Sequence, residues 1–215
     1  MIGSRRAILR AVLACGALAL IATAAGVAAQ PTAAMVSSPP LAGAALRDAL
    51  SRGGYVLYFR HTSTDFGQND DGMTSFDDCS KQRNLTDKGR TEARTIGVAI
   101  TRLKIPVGEV LASPYCRTLE TARLIFGRVT MSMDVRGGPA TPPTPDRYDA
   151  LRKLLSTRVA GATNLAIVSH GNPFYAVAGP PYLAEGEVAV VEPRGADGFR
   201  IVAKIPRDAW DTLDR

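Results

Sequence analysis

Histidine is scarce in this chain, with two residues, His61 and His170, among 215. They lie far apart in the sequence and no cluster of carboxylates accompanies them, so the ligand set of a metal-dependent hydrolase is missing. The sequence also lacks a Gly-x-Ser-x-Gly motif and a nucleotide-binding glycine loop. These absences argue against a metallohydrolase, a serine hydrolase of the common type and a P-loop protein.

Cysteine is also scarce, with three residues in the chain. A cysteine phosphatase carries an arginine at a fixed short spacing after its catalytic cysteine, but that position holds Ala122 after Cys116 and Leu85 after Cys79. The chain has no long run of basic residues and few aromatic residues. It therefore lacks the pattern of a nucleic-acid-binding protein, and we expect no nucleic-acid partner.

The first residues have the pattern of a secretory signal. A basic start with Arg5 and Arg6 is followed by an uncharged stretch over 11–29 that ends in small residues. Residues 4–10 also resemble a twin-arginine export signal. An uncleaved membrane anchor is the alternative, but the many alanines make the stretch weakly hydrophobic. The sequence thus predicts a signal peptide over 1–29, a periplasmic or secreted protein, and no stable membrane insertion after cleavage.

Strand-like and helix-like segments alternate along the rest of the chain. Residues 30–40, rich in proline and serine, predict a flexible linker, which leaves 41–215 as one domain. We predict helices over 41–52, 86–103, 119–126 and 148–159, and a further helix that Gly171 opens. Strands are predicted over 55–60, 107–112, 129–135 and 164–169. A loop is expected over 137–145, and 188–191 is expected to form a hairpin with 199–205. This alternation predicts a three-layer α/β/α sandwich with a mostly parallel central sheet.

Each histidine directly follows an apolar, strand-like run. In open α/β sheets, ligands bind beyond the carboxyl ends of the strands, so both imidazoles are expected in a binding site. Arg60 precedes His61, and Arg117 follows a further strand end. Guanidinium groups offer paired donors to phosphate oxygens, an imidazole can attack phosphorus, and Gly171 opens a helix whose N-terminus favours an anion. The pattern predicts phosphate chemistry.

Four motifs then occur in a familiar order. They are Phe59-Arg60-His61-Thr62, Asn84-Leu85-Thr86 with Gly89 and Ala93, Ser113-Pro114-Tyr115-Cys116-Arg117-Thr118 with Thr121 and Ala122, and Val168-Ser169-His170-Gly171. Together they resemble the histidine phosphatase superfamily, in its phosphoglycerate mutase-like branch 1. The motifs span most of residues 41–205.

This resemblance implies a phosphoglycerate mutase-like fold and specific roles for the strand-end residues. His61 is expected to be the transiently phosphorylated nucleophile, and Arg60, Arg117 and His170 are expected to bind the phosphoryl group. The implied reaction is hydrolysis of a small phosphorylated substrate, with no metal ion and no organic cofactor.

Two departures from the family pattern are informative. Thr62 stands where glycine or alanine is usual, and the glutamate that mutases carry soon afterwards is absent, which favours hydrolysis over mutase chemistry.

The proton donor to the leaving group is the least constrained part of the predicted site. Glu187 is our first choice, because the turn that contains it leads into a strand that begins at the pocket rim in similar proteins. Asp134 and Asp65 are the alternatives. Any one such carboxylate can equally be a solvated surface residue.

Two further expectations follow. Cys79 and Cys116 are expected to form a disulfide in an oxidising compartment, which would fix the long polar loop after His61 over the pocket. Two free thiols are the alternative, since the sequence does not set their distance.

A secreted module that binds phosphate without turnover is the alternative function, because the acid is undetermined and Thr62 departs from the family pattern.

Overall fold

Our computed structural model describes residues 39–138 and 146–214. The predicted signal peptide, most of the predicted linker and most of the predicted loop over 137–145 lie outside these ranges, so the predicted domain limits stay predictions. No helix within the described ranges combines the length and the hydropathy that a membrane crossing requires.

Five helices and six strands alternate along the described chain. In order they are α1 (Gly43–Arg52), β1 (Val56–Arg60), α2 (Asp87–Arg102), β2 (Val107–Ala112), α3 (Cys116–Phe126), β3 (Thr130–Met131), α4 (Asp149–Ser156), β4 (Asn164–Ser169), α5 (Gly171–Ala178), β5 (Val188–Pro193) and β6 (Phe199–Ile205). Short 3-10 turns lie at Cys79–Lys81, Met133–Val135, Gly195–Asp197 and Trp210–Asp214.

The strands form one sheet in the order β3-β2-β4-β1-β5-β6. The four strands from β3 to β1 are parallel. β5 pairs antiparallel with β1, and β6 pairs antiparallel with β5. The prediction of a mostly parallel sheet is confirmed. Because parallel strands end at the same edge, the carboxyl ends of β1, β2 and β4 meet there.

Apolar side chains pack against both faces of the sheet, because successive residues of a strand point to opposite faces. Leu57 and Phe59 of β1 belong to the core that α1, α2 and α3 cover. Val56 and Tyr58 belong to the opposite core, which includes residues of α4 and α5. This arrangement confirms the three-layer α/β/α sandwich.

The third strand is shorter than predicted. The apolar pattern predicts a strand over 129–135, but β3 ends at Met131 and the 3-10 turn Met133–Val135 follows. Ser132 explains the difference, because its hydroxyl accepts a hydrogen bond from the backbone N–H of Asp134 at 3.2 Å and so caps the turn.

Candidate active site

A cavity of about 530 Å³ opens at the carboxyl ends of β1, β2 and β4. Four of the five predicted site residues, namely Arg60, His61, Arg117 and His170, line it together. The remaining lining residues are Gln68, Asn69, Asp70, Asp71, Met73, Arg83, Tyr115, Gly138, Gly171, Asn172 and Tyr182. The parallel sheet thus brings residues from distant parts of the chain to one edge.

His61 is buried directly after β1 and has a fixed ring orientation. Its backbone N–H donates to the carbonyl of Ser169 at 3.0 Å, which continues the β1–β4 pairing beyond the strand. Nδ1 lies 2.9 Å from the backbone carbonyl oxygen of Thr62. A carbonyl oxygen can only accept, so Nδ1 carries the proton and Nε2 keeps its lone pair. Such an imidazole is set up for nucleophilic attack through Nε2.

His170 precedes α5 and lies beside His61, with ring centroids 5.4 Å apart. Its Nε2 is 2.8 Å from Oγ of Ser113, the residue after β2. The edge of the ring of Tyr115 packs against it, with centroids 4.9 Å apart. The backbone of Gly137 approaches the ring so closely that a Cβ there would lie 2.2 Å from Cδ2 of His170. The orientation of His170 is therefore fixed from several sides.

Both histidines are neutral at neutral pH. Burial is the main cause that lowers the pKa of His61 well below 6.5, and the positive charges of Arg117 and Arg60 act in the same direction. Burial also lowers the pKa of His170 well below 6.5, with His61 and Arg117 as further causes. A neutral imidazole is the form that can act as a nucleophile.

Arg60, the last residue of β1, is held at the edge of the cavity. Its Nη1 donates to the carbonyl of Leu183 at 2.8 Å, and its Nη2 lies 3.5 Å from Oε1 of Glu185. The guanidinium also stacks against the ring of Tyr182, at 5.3 Å from its centroid. Arg117, in the first turn of α3, lies over the ring of Tyr115 in a similar way, at 4.4 Å.

Arg83 is a third cavity arginine that the sequence analysis missed. The Nε atoms of Arg60, Arg83 and Arg117 are all buried and have no hydrogen-bond partner among the described residues. A buried donor without a partner is unfavourable and needs an explanation, such as a ligand. Three of them on arginines that line one cavity indicate an anion site. Arg83 directly precedes the Asn84-Leu85-Thr86 motif, so its position offered a signal.

The structure does not bring Glu187 to this cavity. Its Oε2 accepts from the backbone N–H of Ala184 at 2.7 Å, and it is not among the lining residues. Asp65 accepts from the backbone N–H of Gly67 at 2.8 Å, and Asp134 lines a different cavity. The role of Glu187 as general acid stays a prediction, and none of the three candidates has a contact at the cavity that supports it.

Glu185 does not line the cavity, but it contacts two residues that do, Arg60 and His61. Its Oε1 accepts from the hydroxyl of Thr64 at 2.6 Å and lies 3.9 Å from Nδ1 of His61. It also forms the ion pair with Arg60. Glu185 and Glu187 are two positions apart in one turn, and the sequence alone does not show which of them faces His61.

Thr62, which stands where the family usually has glycine or alanine, packs in the protein interior. Its side chain is fully buried, and its hydroxyl lies 3.3 Å from that of Thr121 in α3. The departure from glycine or alanine therefore adds a contact between the turn that follows His61 and α3.

The long loop between β1 and α2 is attached to the start of α3. Cys79 and Cys116 form the predicted disulfide, with Cα atoms 5.7 Å apart. Oε1 of the buried Gln82 accepts from the backbone N–H of Cys116 at 2.9 Å. Asp70 of the same loop pairs with Arg117 through two contacts of 3.0 Å. These links fix the loop beside the cavity.

Known proteins resemble this chain in part of its sequence and in its fold. Residues 56–138 match the family model of the histidine phosphatase superfamily, branch 1. No curated protein matches the chain significantly. Among solved structures, the protein histidine phosphatase SixA complexed with tungstate has a TM-score of 0.50 at 16% identity, covering 71% of this chain and 97% of its own. Phosphoserine phosphatase from Entamoeba histolytica with 3-phosphoglyceric acid has a TM-score of 0.50 at 15% identity, covering 74% and 98%.

The strand-end histidines and the cavity arginines thus form a site whose side chains suit the binding of a phosphoryl group. Over residues 56–138, the chain is similar in sequence to the histidine phosphatase superfamily, branch 1. The resemblance drawn from its four motifs is confirmed.

Proposed function

We propose that this protein hydrolyses small phosphate monoesters through a phosphohistidine intermediate on His61. The observation that carries the proposal is the buried imidazole itself, because Thr62 holds Nδ1 and leaves Nε2 as the nucleophile. The three arginines around it supply unpartnered donors for the phosphoryl oxygens. Preorganised donors of this kind stabilise the charge that develops during phosphoryl transfer.

The reaction proceeds in two transfers. In the first, Nε2 of His61 forms a bond to phosphorus as the bond to the leaving oxygen breaks, and a carboxylic acid gives that oxygen a proton. In the second, a water oxygen attacks phosphorus while the carboxylate left by the first step takes a proton from that water, the N–P bond breaks, and phosphate leaves with His61 and the carboxylic acid restored. Nε2 of His170 lies 2.8 Å from the hydroxyl of Ser113. We infer that this hydroxyl donates to Nε2, which places the proton of the neutral ring on Nδ1, where it can donate to a phosphoryl oxygen in both steps.

Asp70 and Asp71 are the carboxylates among the described residues that line the cavity. Asp70 is occupied by its contacts with Arg117. The side chain of Asp71 is exposed and accepts no hydrogen bond from the described residues. We therefore assign the proton donor to Asp71 in place of the sequence-based choice of Glu187.

Two neighbours of the same fold hold small anions, tungstate in one and 3-phosphoglyceric acid in the other. A cavity of about 530 Å³ has room for a ligand of that size class. These observations support a small phosphorylated substrate.

Export is part of the proposal. The signal-like sequence over 1–29 and a disulfide between Cys79 and Cys116 both suit a periplasmic or secreted protein. Cell fractionation tests this point: the protein should appear, shortened at its N-terminus, in the exported fraction.

A phosphate-binding module without turnover is the second candidate, favoured by the absence of Glu187 from the cavity. An assay of nitrophenyl phosphate hydrolysis separates the two functions. We expect turnover by the wild type and a loss of about 10³-fold or more in His61→Asn. Phosphate binding without release of nitrophenol by the wild type would instead establish the binding module.

A further inference from the structure

Asp70 binds Arg117 across 47 residues of sequence. Its Oδ1 and Oδ2 accept from Nη1 and Nη2 of Arg117, each at 3.0 Å, so the carboxylate faces the end of the guanidinium. Oδ1 also accepts from the backbone N–H of Arg83 at 2.9 Å. Nη1 of Arg117 in turn donates to the carbonyl of Arg83 at 3.2 Å. The loop thus holds the Nη1–Nη2 end of the Arg117 side chain through these hydrogen bonds.

The donors of Arg117 can be counted. A guanidinium has five N–H groups. Both hydrogens of Nη1 are used, one by Asp70 and one by the carbonyl of Arg83, and one hydrogen of Nη2 is used by Asp70. Nε has no partner among the described residues. The hydrogens of Nε and of Nη2 that are left lie along the same edge of the planar group, so this edge carries a pair of parallel donors without a partner among the described residues.

We propose that Asp70 is a positioning residue that holds Arg117 so that its Nε–Nη2 edge receives the phosphoryl oxygens. The inference rests on the proposed function. Arg117 is 5% exposed, and a buried cation needs a counter-charge before the substrate arrives and after phosphate leaves. Asp70 supplies that counter-charge throughout the cycle. Arg117 is therefore not free to rearrange between turnovers, which is the condition for preorganised stabilisation.

The negative charge of Asp70 opposes an incoming phosphate, but two features limit this effect. The Asp70 side chain is 30% exposed, so solvent screens it. In the part of the chain that the structure describes, the cavity is lined by three arginines, Arg60, Arg83 and Arg117, which outnumber its two carboxylates, Asp70 and Asp71. The rival interpretation is that Asp70 occupies the donors that phosphate itself needs and must leave before substrate binds. The two interpretations predict opposite effects when the charge of Asp70 is removed.

The test is Asp70→Asn in the full chain, assayed with nitrophenyl phosphate and titrated with inorganic phosphate. Asparagine has the same shape, but its NH₂ group faces an N–H of Arg117, so the paired contact is lost. We expect kcat to fall by about 10-fold or more, because a misplaced catalytic group is costly, with a smaller change in KM. Phosphate affinity should fall by about 10-fold as well. The matched control is Asp77→Asn, an exposed residue of the same loop, which should change neither value.

A double-mutant cycle shows whether Asp70 acts through Arg117. In an Arg117→Lys background, Asp70→Asn should cause less than about 2-fold further loss, since the fork it positions is already gone. The proposal would be overturned if Asp70→Asn lowered kcat as much in the Arg117→Lys background as in the wild type. A rise in kcat/KM or tighter phosphate binding in Asp70→Asn would overturn it too.

Absence of turnover in the wild type would overturn the proposed function instead. The phosphate titration would then decide this inference alone: weaker binding in Asp70→Asn supports it, and unchanged or tighter binding overturns it.

Discussion

The hydroxyl of Ser113 lies 2.8 Å from Nε2 of His170 and joins the end of β2 to the end of β4. Ser113 is fully buried, so this contact has no competition from solvent. We expect Ser113→Ala to leave Nε2 of His170 without this hydrogen bond and to lower kcat by about 10-fold, because the ring loses one of the contacts that fix its orientation. Steady-state kinetics measures the effect. Ser156→Ala, on the exposed surface of α4, is the control.

The lowered pKa values of the two histidines predict a specific NMR result. Because burial lowers the pKa of both His61 and His170 well below 6.5, neither imidazole should titrate between pH 7.5 and about 6 in the folded protein without phosphate. The chain has two histidines, so their ring C–H signals are easily assigned with the help of His61→Asn. A titration midpoint near 6.5 for either ring would contradict the structure.

The same shifts have a consequence for stability. In the unfolded chain, histidine titrates near pH 6.5, whereas the folded imidazoles stay neutral below that value. The unfolded state therefore binds more protons, and the free energy of unfolding should decrease as the pH falls below about 6.5. Urea unfolding from pH 7.5 to 5.5 measures this slope. His61→Asn should make it shallower, and an unchanged slope would count against the predicted neutral state.

The assignment of the general acid can be tested with leaving groups. A proton donor matters most for alkoxide leaving groups, because a nitrophenolate leaves without a proton. We expect Asp71→Asn to slow an alkyl phosphate at least about 10-fold more than nitrophenyl phosphate. Glu187→Gln should slow both substrates equally and little. The reverse pattern would restore Glu187 as the acid.

Removal of the disulfide should reduce stability. Cys79 and Cys116 close a loop of 37 residues, and a cross-link of that length is worth about 2–4 kcal/mol in the free energy of unfolding. We expect the Cys79→Ser/Cys116→Ser double variant to lose about that amount and to show a higher KM, since the loop that carries Asp70 loses an anchor. Non-reducing peptide mapping checks the bridge itself. Recovery of both cysteines as free thiols would show that it does not form.

The sequence predicts the scaffold of the site better than its details. The runs before His61 and His170 are apolar and end in polar residues, so β1 and β4 and their shared edge could be predicted from a local pattern. Arg60 and Arg117 follow from the same reasoning, because each adjoins a strand end.

The partners of these residues could not be predicted in the same way. Asp70 and Arg83 lie on a long polar loop, and their contacts depend on how that loop folds over α3. Ser113 follows β2, but its partner His170 follows β4, far along the chain. Such contacts depend on tertiary structure, and no local periodicity encodes them.

The formation of phosphohistidine on His61 is the central claim. The most direct measurement is rapid mixing with a ³²P-labelled substrate, quenching in alkali to preserve the acid-labile N–P bond, and mapping of the labelled peptide. We predict label on the peptide that contains His61 in the wild type, its absence in His61→Asn, and its loss on chasing with unlabelled substrate. Turnover by the wild type with no label on His61, or equal turnover by His61→Asn, would contradict the account.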